Sequence, residues 1–267
     1  KQTVLVTGAS GLIRGLVIKN LGNKYEFSAL NRGPIEGIPS VQADISNFES
    51  IQPAFYGIET VLHLGALATP GLTNNWDGIA STNIHGTFNV YEASRINGVR
   101  RVIFASSGGT IQGYEKDPEY KNLVAGDYEN LPKNWPMIDH TSPLRPGSLY
   151  GVSKIFGEAL GRYYSDVHGI SILNLRLGAV IDTDRPKVPR QYPVYLSHSD
   201  CLQLIDLCLT APDSFRYEIF EAVSDNKFRW RDNSYTKDVL GWKPTADSYK
   251  YLFKPVSYTH LTLPTKA

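Results

Sequence analysis

Hydrophobic positions along the chain fall into two alternating patterns. Short apolar runs bounded by glycine or polar residues predict β-strands, and apolar residues three or four positions apart in the stretches between them predict amphipathic helices. The predicted strands cover residues 3–7, 26–30, 41–45, 60–64, 101–105, 170–175 and 217–223. Because apolar strands alternate with helices, the sequence predicts an α/β fold with a doubly wound parallel sheet covered by helices on both faces.

The predicted helices have recognisable ends. A glycine turn opens the first helix, whose apolar residues run from Leu12 to Leu21. Ser46 and Glu49 have the spacing of a capping box, which predicts a helix that begins there and ends at Gly57. Further helices are predicted from Asn83 to near Gly98, over residues 149–168 and 200–210, and just before Gly241.

Composition and charge exclude several classes of function. The 267 residues carry 27 Lys and Arg against 26 Asp and Glu, so neither nucleic acid nor an acidic membrane is predicted as a partner. No apolar run approaches the ~20 residues that span a bilayer. The histidines lack metal-ligand spacing, and no G-x-S-x-G, H-E-x-x-H or P-loop motif occurs, so no metal site is predicted. Cys201 and Cys208 are predicted to be buried thiols, which fits a reducing, cytoplasmic location.

The first glycine turn has the pattern of a phosphate-binding loop. Thr7–Arg14 reads TGASGLIR, so its glycines follow a strand and open a helix, where backbone amides and the helix dipole can hold a pyrophosphate. A third glycine would let helix and strand pack closely, but Arg14 stands at its position, and Gly15 lies about 100° further round the helix. The residues predicted to contact the cofactor here are Gly8, Ser10, Gly11, Leu12 and Ile13.

The end of the second strand bears on the choice of cofactor. A dinucleotide site needs a group about 20 residues after the glycine turn to read the adenosine ribose, and Asn31 and Arg32 stand there instead of Asp or Glu. An acidic side chain would repel a 2′-phosphate, whereas Arg32 can pair with one. The sequence therefore predicts NAD or NADP, with NADP mildly favoured, and the alternative for Arg32 is a solvated cation.

Tyr150 and Lys154 are the candidate chemical groups. Their spacing puts phenol and ammonium on one helix face, and a nearby ammonium favours the phenolate, which predicts a Tyr150 pKa lowered from about 10 toward working pH. Such pairs also arise by chance in a chain rich in tyrosine and lysine. The context adds weight, because residues 107–148 are rich in Gly, Pro, Asn and Tyr and are predicted to line a site, and because Ser107 ends a parallel strand.

Motifs along the chain resemble, in the same order, those of the extended short-chain dehydrogenase/reductases, the NAD-dependent epimerase/dehydratase family. The resemblance covers nearly all of residues 1–255. It rests on the glycine turn, Asp44, His63–Ala66, Asn83, Phe104–Ser107 and Tyr150–Lys154. It implies an NAD(P)-dependent oxidoreductase with a small-molecule substrate. It also implies a homodimer that forms through two helices, as is usual for similar proteins.

The resemblance also implies a role for each matching residue. Ser107 would hydrogen-bond the reacting oxygen, Tyr150 would exchange its proton, and Lys154 would hold the nicotinamide ribose and tune Tyr150. Asn83 would support Lys154 through backbone and water. The other cofactor contacts implied by the resemblance are Asp44 and Ile45 beside the adenine, and Leu64, Gly65 and Ala66 after the fourth strand.

The second half of the chain sets the predicted domain limits. Residues 1–177 are predicted to form a dinucleotide-binding Rossmann domain, and residues 178–255 a small C-terminal substrate lobe interleaved with it. Members of the family that act on nucleotide-sugars carry a larger lobe, so a small substrate is predicted. Residues 256–267 read VSYTHLTLPTKA, and the first ten match one frame of a transposase-type sequencing adaptor. We expect this tail to be an artefact rather than a C-terminal strand.

Segments of the second half are similar to uronate dehydrogenases. In that subfamily an arginine at the Arg190 position grips the sugar carboxylate, and the alternative for Arg190 is a solvated loop cation. The subfamily has Asn at the position of Gly108 and Ser at that of Ala179, so a related sugar or hydroxy acid is as well supported as a uronate. The predicted substrate contacts are Ser107, Gly108 and Arg190.

The favoured prediction is a dehydrogenase in which the Tyr150 phenolate removes a hydroxyl proton while hydride leaves the same carbon for the nicotinamide. Two other functions stay open. One is a sugar epimerase or dehydratase that regenerates a retained cofactor. The other is a cofactor-binding regulatory protein with weak catalysis, which Arg14 suggests, although a sequencing error would also explain an arginine there.

Overall fold

The sheet predicted from the apolar runs is present in the computed structural model, which describes residues 1–8, 11–68 and 71–252. Ser10 and the tail at 256–267 lie outside the described residues. The strands are β1 Thr3–Thr7, β2 Glu26–Asn31, β3 Ser40–Gln42, β4 Thr60–His63, β5 Arg101–Ser107, β6 Ser171–Leu177 and β7 Tyr217–Ala222. Neighbouring strands pair in parallel in the order β3-β2-β1-β4-β5-β6-β7. This arrangement confirms the predicted doubly wound α/β fold.

Helices connect the strands, as the apolar spacing predicts. The α-helices are α1 Leu12–Leu21, α2 Phe48–Ile51, α3 Trp76–Gly78, α4 Gly86–Ile96, α5 Pro118–Ala125, α6 Leu149–His168, α7 His198–Leu209 and α8 Ser234–Leu240. A π-helical turn, Ile79–His85, joins α3 to α4. Short 3₁₀ turns lie at Gln52–Phe55, Gly108–Thr110, Gln112–Lys116, Pro189–Gln191 and Ser248–Tyr251.

The predicted capping box at Ser46 is wrong. The Asp44 carboxylate accepts hydrogen bonds from both the amide and the hydroxyl of Ser46, at 2.9 and 2.8 Å, so Ser46 belongs to the turn after β3. Asn47 takes over as the cap of α2, and its side chain accepts from the Ser50 amide at 3.0 Å. The turn also ends β3 at Gln42, three residues before the predicted end of the strand.

Each face of the sheet has its own hydrophobic core, because successive residues of β1 point to opposite faces. Val6 packs in one cluster with Val17 of α1 and Leu204 of α7. Leu5 packs in the other with Tyr164 of α6. Burying each of these side chains contributes roughly 1.5–3 kcal/mol. The two clusters fix α1 and α7 on one face and α6 on the other, and so set where the helix ends meet the strand ends.

The chain after residue 177 is divided between the sheet and a region above its edge. It supplies β7 and α7, and on α7 Cys201 and Cys208 are buried and free, as predicted. A separate apolar cluster joins the long segment after β5 to the residues that follow β6 and β7: Ile111, Tyr120, Leu123, Ile138, Val194, Val223 and Trp230. Part of the chain after residue 177 therefore belongs to the sheet and part to the region above its edge, and the domain boundary at residue 177 stays a prediction.

Candidate active site

The carboxyl ends of β1 and β4 form a crevice. The chain leaves β1 toward β2 and leaves β4 toward β5, so the connections that follow these two neighbouring strands run in opposite directions and a crevice opens between them. Gly8 has a φ of +68°, and a Cβ there would lie 2.6 Å from the Gly65 Cα. The ends of the two strands can approach this closely only because residue 8 is glycine.

A buried histidine ties these strand ends together. The Thr7 hydroxyl lies 2.6 Å from His63 Nδ1 and accepts a hydrogen bond from the Gly65 amide at 3.1 Å. His63 Nε2 lies 3.2 Å from the Thr87 hydroxyl of α4. Burial lowers the pKa of His63 to about 3, so its ring is neutral at physiological pH. The backbone that surrounds the crevice is therefore held in place before any ligand binds.

The crevice contains a cavity of about 270 Å³, which we call the crevice cavity. Most of the predicted cofactor residues line it. Its lining residues are Gly8, Gly11, Leu30, Asn31, Arg32, Ala43, Asp44, Ile45, Leu64, Gly65, Ala66, Ala68 and Thr82. Leu12 and Ile13 do not line it, since Leu12 is exposed and Ile13 packs against the core. A cavity walled by bare glycine backbone at a helix start fits a dinucleotide phosphate.

The mouth of the crevice cavity carries one acidic and one basic side chain. Burial raises the pKa of the Asp44 carboxyl. The hydrogen bonds from Ser46 and the positive charge of Arg32 lower it by more, so the net effect is a lowered pKa. Arg32 is exposed. Asn31 donates to the Gly33 carbonyl at 3.0 Å, which stabilises the turn after β2. The end of β2 therefore presents a cation and an amide but no carboxylate of its own.

Arg14 occupies the helix position where a third glycine was expected. Its Nε is buried and has no hydrogen-bond partner among the described residues. A Cβ at Gly15 would meet nothing within 4 Å, so Gly15 does not provide the close approach that a glycine in the motif normally gives. The structure therefore agrees with the sequence pattern that Gly15 does not replace the missing glycine.

The start of α6 positions Tyr150. The Ser148 side chain caps the helix by accepting from the Gly151 amide at 3.2 Å. The Tyr150 amide donates to the Thr73 carbonyl at 2.9 Å, and the Leu149 amide donates to Asn74 Oδ1 at 3.0 Å. These bonds fix the first turn of α6 against the segment that precedes α3, so that Tyr150 lies beside Ser107 at the end of β5.

The predicted lowering of the Tyr150 pKa is not what the structure gives. Burial of the phenol raises the pKa, and the hydroxyl of Ser107 acts in the opposite direction without cancelling the shift. The Lys154 ammonium donates to the Ala105 carbonyl at 2.7 Å and lies 5.4 Å from the centre of the Tyr150 ring. It thus points toward the end of β5, and its charge does not offset the burial of Tyr150.

Lys154 is itself strongly perturbed. Its side chain is fully buried, and this lowers its pKa to about 7, although the nearby Glu158 carboxylate acts in the opposite direction. Its ammonium also lies 4.8 Å from the centre of the Phe104 ring. A lysine held this way changes its charge near neutral pH, which is unusual for an ammonium and common at functional sites.

Asn83 connects the crevice to α6. It lies on the π-helical turn before α4, a type of distortion that often occurs at functional sites. Its side chain accepts from the Leu67 amide at 2.7 Å and donates to the Ser153 hydroxyl at 3.0 Å. The Ser153 hydroxyl in turn donates to the Tyr150 carbonyl at 2.7 Å. Asn83 therefore supports the helix turn that carries Tyr150 and Lys154, and its support of Lys154 through water stays a prediction.

A chain of buried charges runs beneath the site. Ser106 donates to Glu158 at 2.6 Å, and Arg176 contacts Glu158 at 2.8 Å and Glu221 at 3.2 Å. Glu221 also pairs with Arg231 at 2.6 Å. All of these side chains are almost fully buried, and the two positive charges balance the two negative ones. Because each charge has a partner, the cost of burying it is offset.

A second cavity, of about 490 Å³, lies beside Tyr150 and Ser107, and we call it the substrate pocket. Ala68 lines both this pocket and the crevice cavity, so the two adjoin there. The predicted contacts Ser107, Gly108 and Arg190 all line the pocket. The other lining residues are Ala68, Gly71, Thr73, Asn74, Gly109, Gln112, Glu115, Gly147, Ser148, Tyr150, Leu177, Gly178, Ala179, Val194, Trp230 and Arg231.

Two charged residues of the substrate pocket were missed from the sequence. Glu115 pairs with Arg190 through two hydrogen bonds of 2.7 and 2.8 Å. Arg231 reaches under Gly108, where a Cβ would lie 2.5 Å from Arg231 Nη1. Neither Glu115 nor Arg231 belongs to a sequence motif. The clearest sequence signal for either residue was that Glu115 lies in the long segment predicted to line a site. The glycine at position 108 makes room for the guanidinium of Arg231.

Two predicted absences concern the described part of the chain. It contains no group of three or more His, Cys, Asp and Glu side chains placed to hold a metal ion. None of the helices within residues 1–8, 11–68 and 71–252 is long and apolar enough to cross a membrane.

Known proteins resemble this chain along most of its length. The NAD dependent epimerase/dehydratase family matches residues 4–190. An NAD-dependent glucose-6-phosphate dehydrogenase of Haloferax volcanii is 33% identical, over 95% of this chain and 97% of the relative. An L-arabinose 1-dehydrogenase (NAD(P)(+)) of the same organism is 33% identical, over 92% and 97%. A solved mutant uronate dehydrogenase from Agrobacterium tumefaciens, complexed with NAD, is 29% identical with a TM-score of 0.78, over 94% of this chain and 87% of that one.

Proposed function

Because this chain belongs to the NAD-dependent epimerase/dehydratase family, we propose that it is a sugar dehydrogenase in which Tyr150 takes the proton of the hydroxyl that is oxidised. The observation that carries the proposal is the junction of the two cavities at Ala68. A substrate in the pocket beside Tyr150 and Ser107 would lie next to a cofactor in the crevice. Such an arrangement suits direct hydride transfer from a bound substrate to a bound cofactor.

Different parts of the crevice would hold different parts of the cofactor. Gly8 and Gly11 leave backbone exposed for the pyrophosphate, Asp44 and Ile45 flank the space for the adenine, and Lys154, whose ammonium lies at the Ala105 carbonyl, would hold the nicotinamide ribose. When bound, the nicotinamide supplies the hydride acceptor. Arg32 and the lack of a carboxylate at Asn31 support use of both NAD and NADP, with NADP mildly preferred.

Tyr150 and its neighbours would manage the proton. In the direction of oxidation the Tyr150 oxygen accepts the proton of the substrate hydroxyl, and in reduction it returns that proton. Burial raises the pKa of the phenol, so proton acceptance requires positive charge nearby, which the Lys154 ammonium provides when protonated. Ser107 hydrogen-bonds the same substrate oxygen and holds it within reach of Tyr150.

The substrate class follows from the size and lining of the pocket. About 490 Å³ accommodates a monosaccharide, and the polar side chains of Asn74, Gln112 and Ser148 suit hydroxyl groups. By their names, two relatives of this chain act on glucose 6-phosphate and on L-arabinose at its first carbon. We propose an aldose or a close derivative that is oxidised at its anomeric carbon to the lactone.

The test is a turnover assay of the purified chain. NAD and NADP are each combined with L-arabinose, D-galactose, D-galacturonate and glucose 6-phosphate, and the absorbance of the reduced nicotinamide is followed. We expect turnover with at least one sugar, and a loss on the order of 10³-fold in Tyr150→Phe. A chain that retains its nucleotide tightly and interconverts sugars without net reduction of added cofactor would instead be an epimerase.

A further inference from the structure

The substrate pocket contains an internal carboxylate–guanidinium pair. Glu115 Oε2 accepts from Arg190 Nε at 2.7 Å, and Glu115 Oε1 accepts from Arg190 Nη2 at 2.8 Å. The Glu115 side chain is only 11% exposed, whereas that of Arg190 is 47% exposed. One edge of the guanidinium, with the geometry that binds a carboxylate best, is therefore already occupied by a residue of the protein itself.

The other cation of the pocket is also paired. The Arg231 side chain is 1% exposed and its Nη2 lies 2.6 Å from the Glu221 carboxylate. The remaining nitrogen, Nη1, lies under Gly108 and makes no hydrogen bond within the described part of the chain. Arg231 can therefore donate to a substrate oxygen, but its charge is already balanced by Glu221.

A neutral ligand and an anion differ in the hydrogen bonds that they can make with the Glu115–Arg190 pair. A sugar hydroxyl can donate to Glu115 and accept from Arg190 at once, so it adds to the pair without breaking it. A carboxylate or phosphate only accepts, and it would have to share Arg190 with Glu115 or displace it. Displacement leaves a nearly buried carboxylate without its partner and close to a second negative charge, which is costly.

Building on the proposed function, we infer that the pocket selects a neutral aldose over a uronate or a sugar phosphate, and that Glu115 is the residue that sets this choice. Glu115 acts on the ligand as a positioning and specificity residue, because it takes the place that the acid group of an anionic sugar would occupy on Arg190. The chemistry at Tyr150 is the same for either kind of sugar.

The test compares D-galactose with D-galacturonate, which differ only at the carbon that bears the acid. For the wild-type chain we expect kcat/KM for galactose to exceed that for galacturonate by about tenfold or more, the factor that one charged hydrogen bond is worth. Glu115→Gln keeps the size of the side chain and removes its charge, so it should shift the ratio toward galacturonate by about tenfold or more. Glu119→Gln, an exposed residue of α5 outside the pocket, should leave the ratio unchanged.

The possible results separate the two proposals. Preference for galacturonate in the wild type, or a Glu115→Gln variant with an unchanged ratio and an unchanged melting temperature, overturns the inference while the sugar dehydrogenase stands. No oxidation of any sugar in the panel overturns the proposed function, and the inference with it. The wild-type ratio needs no substitution, so a variant that fails to fold does not prevent the test.

Discussion

The crevice cavity and the substrate pocket meet at Ala68 but are built in different ways. The crevice is formed by turns that directly follow β1, β2, β3 and β4, and the backbones at Gly8 and Gly65 lie so close that a Cβ at Gly8 would be 2.6 Å from the Gly65 Cα. The pocket is assembled from separate loops, and its pair Glu115–Arg190 joins distant parts of the chain. Its other cation, Arg231, pairs with Glu221, which lies behind the pocket lining. The crevice cavity is therefore defined mainly by the path of the backbone, and the substrate pocket mainly by paired side chains.

Because the two cavities are built differently, we expect substitutions in them to have different effects on ligand binding. A substitution in the crevice alters the backbone path and so affects every ligand that binds there. A substitution in the pocket alters one polar contact and should separate one substrate from another. Tyr150, on the first turn of α6, lines the pocket and should affect chemistry more than cofactor binding, whereas Lys154, which would hold the nicotinamide ribose, should affect both.

The largest effect is expected at this junction. Tyr150→Phe removes the proton acceptor and keeps the ring, so we expect kcat to fall on the order of 10³-fold while the affinity for the cofactor, measured by fluorescence titration, is retained. Tyr163→Phe, an exposed tyrosine of the same helix, is the control. Near-normal turnover of Tyr150→Phe would show that another group takes the proton.

On the crevice side, Gly8→Ala should be the most damaging single change. A side chain there pays for a left-handed φ of +68°, which costs roughly 1–2 kcal/mol, and also meets Gly65 Cα at 2.6 Å. We expect cofactor affinity to fall about 100-fold and the melting temperature to drop. Gly37→Ala has a similar φ of +84° but open space around it, so it should show only the loss of stability.

Equal losses of cofactor affinity in Gly8→Ala and Gly37→Ala would contradict this account of the crevice. They would mean that backbone strain alone, and not the contact between β1 and β4, controls binding there.

The charge of Lys154 gives a prediction for pH. Burial lowers its pKa to about 7 in the folded chain, against about 10.4 when unfolded. Between these values the unfolded chain binds more protons, so the contribution of Lys154 to the free energy of unfolding should rise with pH, by at most about 1.4 kcal/mol per pH unit. Below pH 7 it should be constant.

Denaturant unfolding of the wild type and of Lys154→Met between pH 6 and 10 checks this, with the pH range taken from the two values above. The difference between the two proteins should change with pH above 7 and be flat below it. A difference that is flat over the whole range would mean that Lys154 keeps an ordinary pKa in the folded chain.

The smallest effect is expected at Arg32. Arg32→Asp places a carboxylate at the mouth of the crevice cavity, so it should lower kcat/KM with NADP relative to NAD by up to about fivefold, since a single exposed charge pair is worth no more than about 1 kcal/mol. Lys121→Asp on α5 carries the same change of charge away from the crevice and serves as the control. Equal losses with both cofactors would place the 2′-phosphate elsewhere.

The sequence predicted the crevice well because its features are local. Strand ends, the glycine turn and the position of Tyr150 after a long loop can each be recognised within a short stretch, and parallel strands bring their carboxyl ends together without further information. The side chains of Leu12 and Ile13 lie outside the cavity, since Leu12 is exposed and Ile13 packs against the core, and contact of their backbone amides with the cofactor stays a prediction.

The substrate side was harder to predict because its contacts depend on distant segments. Glu115 meets Arg190 only after the long segment beyond β5 packs on the residues that follow β6. The pKa of Tyr150 was wrong for a related reason. Four-residue spacing places Lys154 on the same helix face as Tyr150. The spacing cannot show that the Lys154 ammonium points to the Ala105 carbonyl, or that burial of the Tyr150 phenol raises its pKa.

The contact between Gly108 and Arg231 restricts the order in which this pocket can change by mutation. A side chain at position 108 collides with Arg231 Nη1, and Arg231 cannot swing away because it is held by Glu221 and by the Arg176 carbonyl. Shortening Arg231 first leaves Glu221 with one partner fewer. The three positions are therefore epistatic, and a lineage that acquires a side chain at 108 has to pass through a change at Arg231 before or together with it.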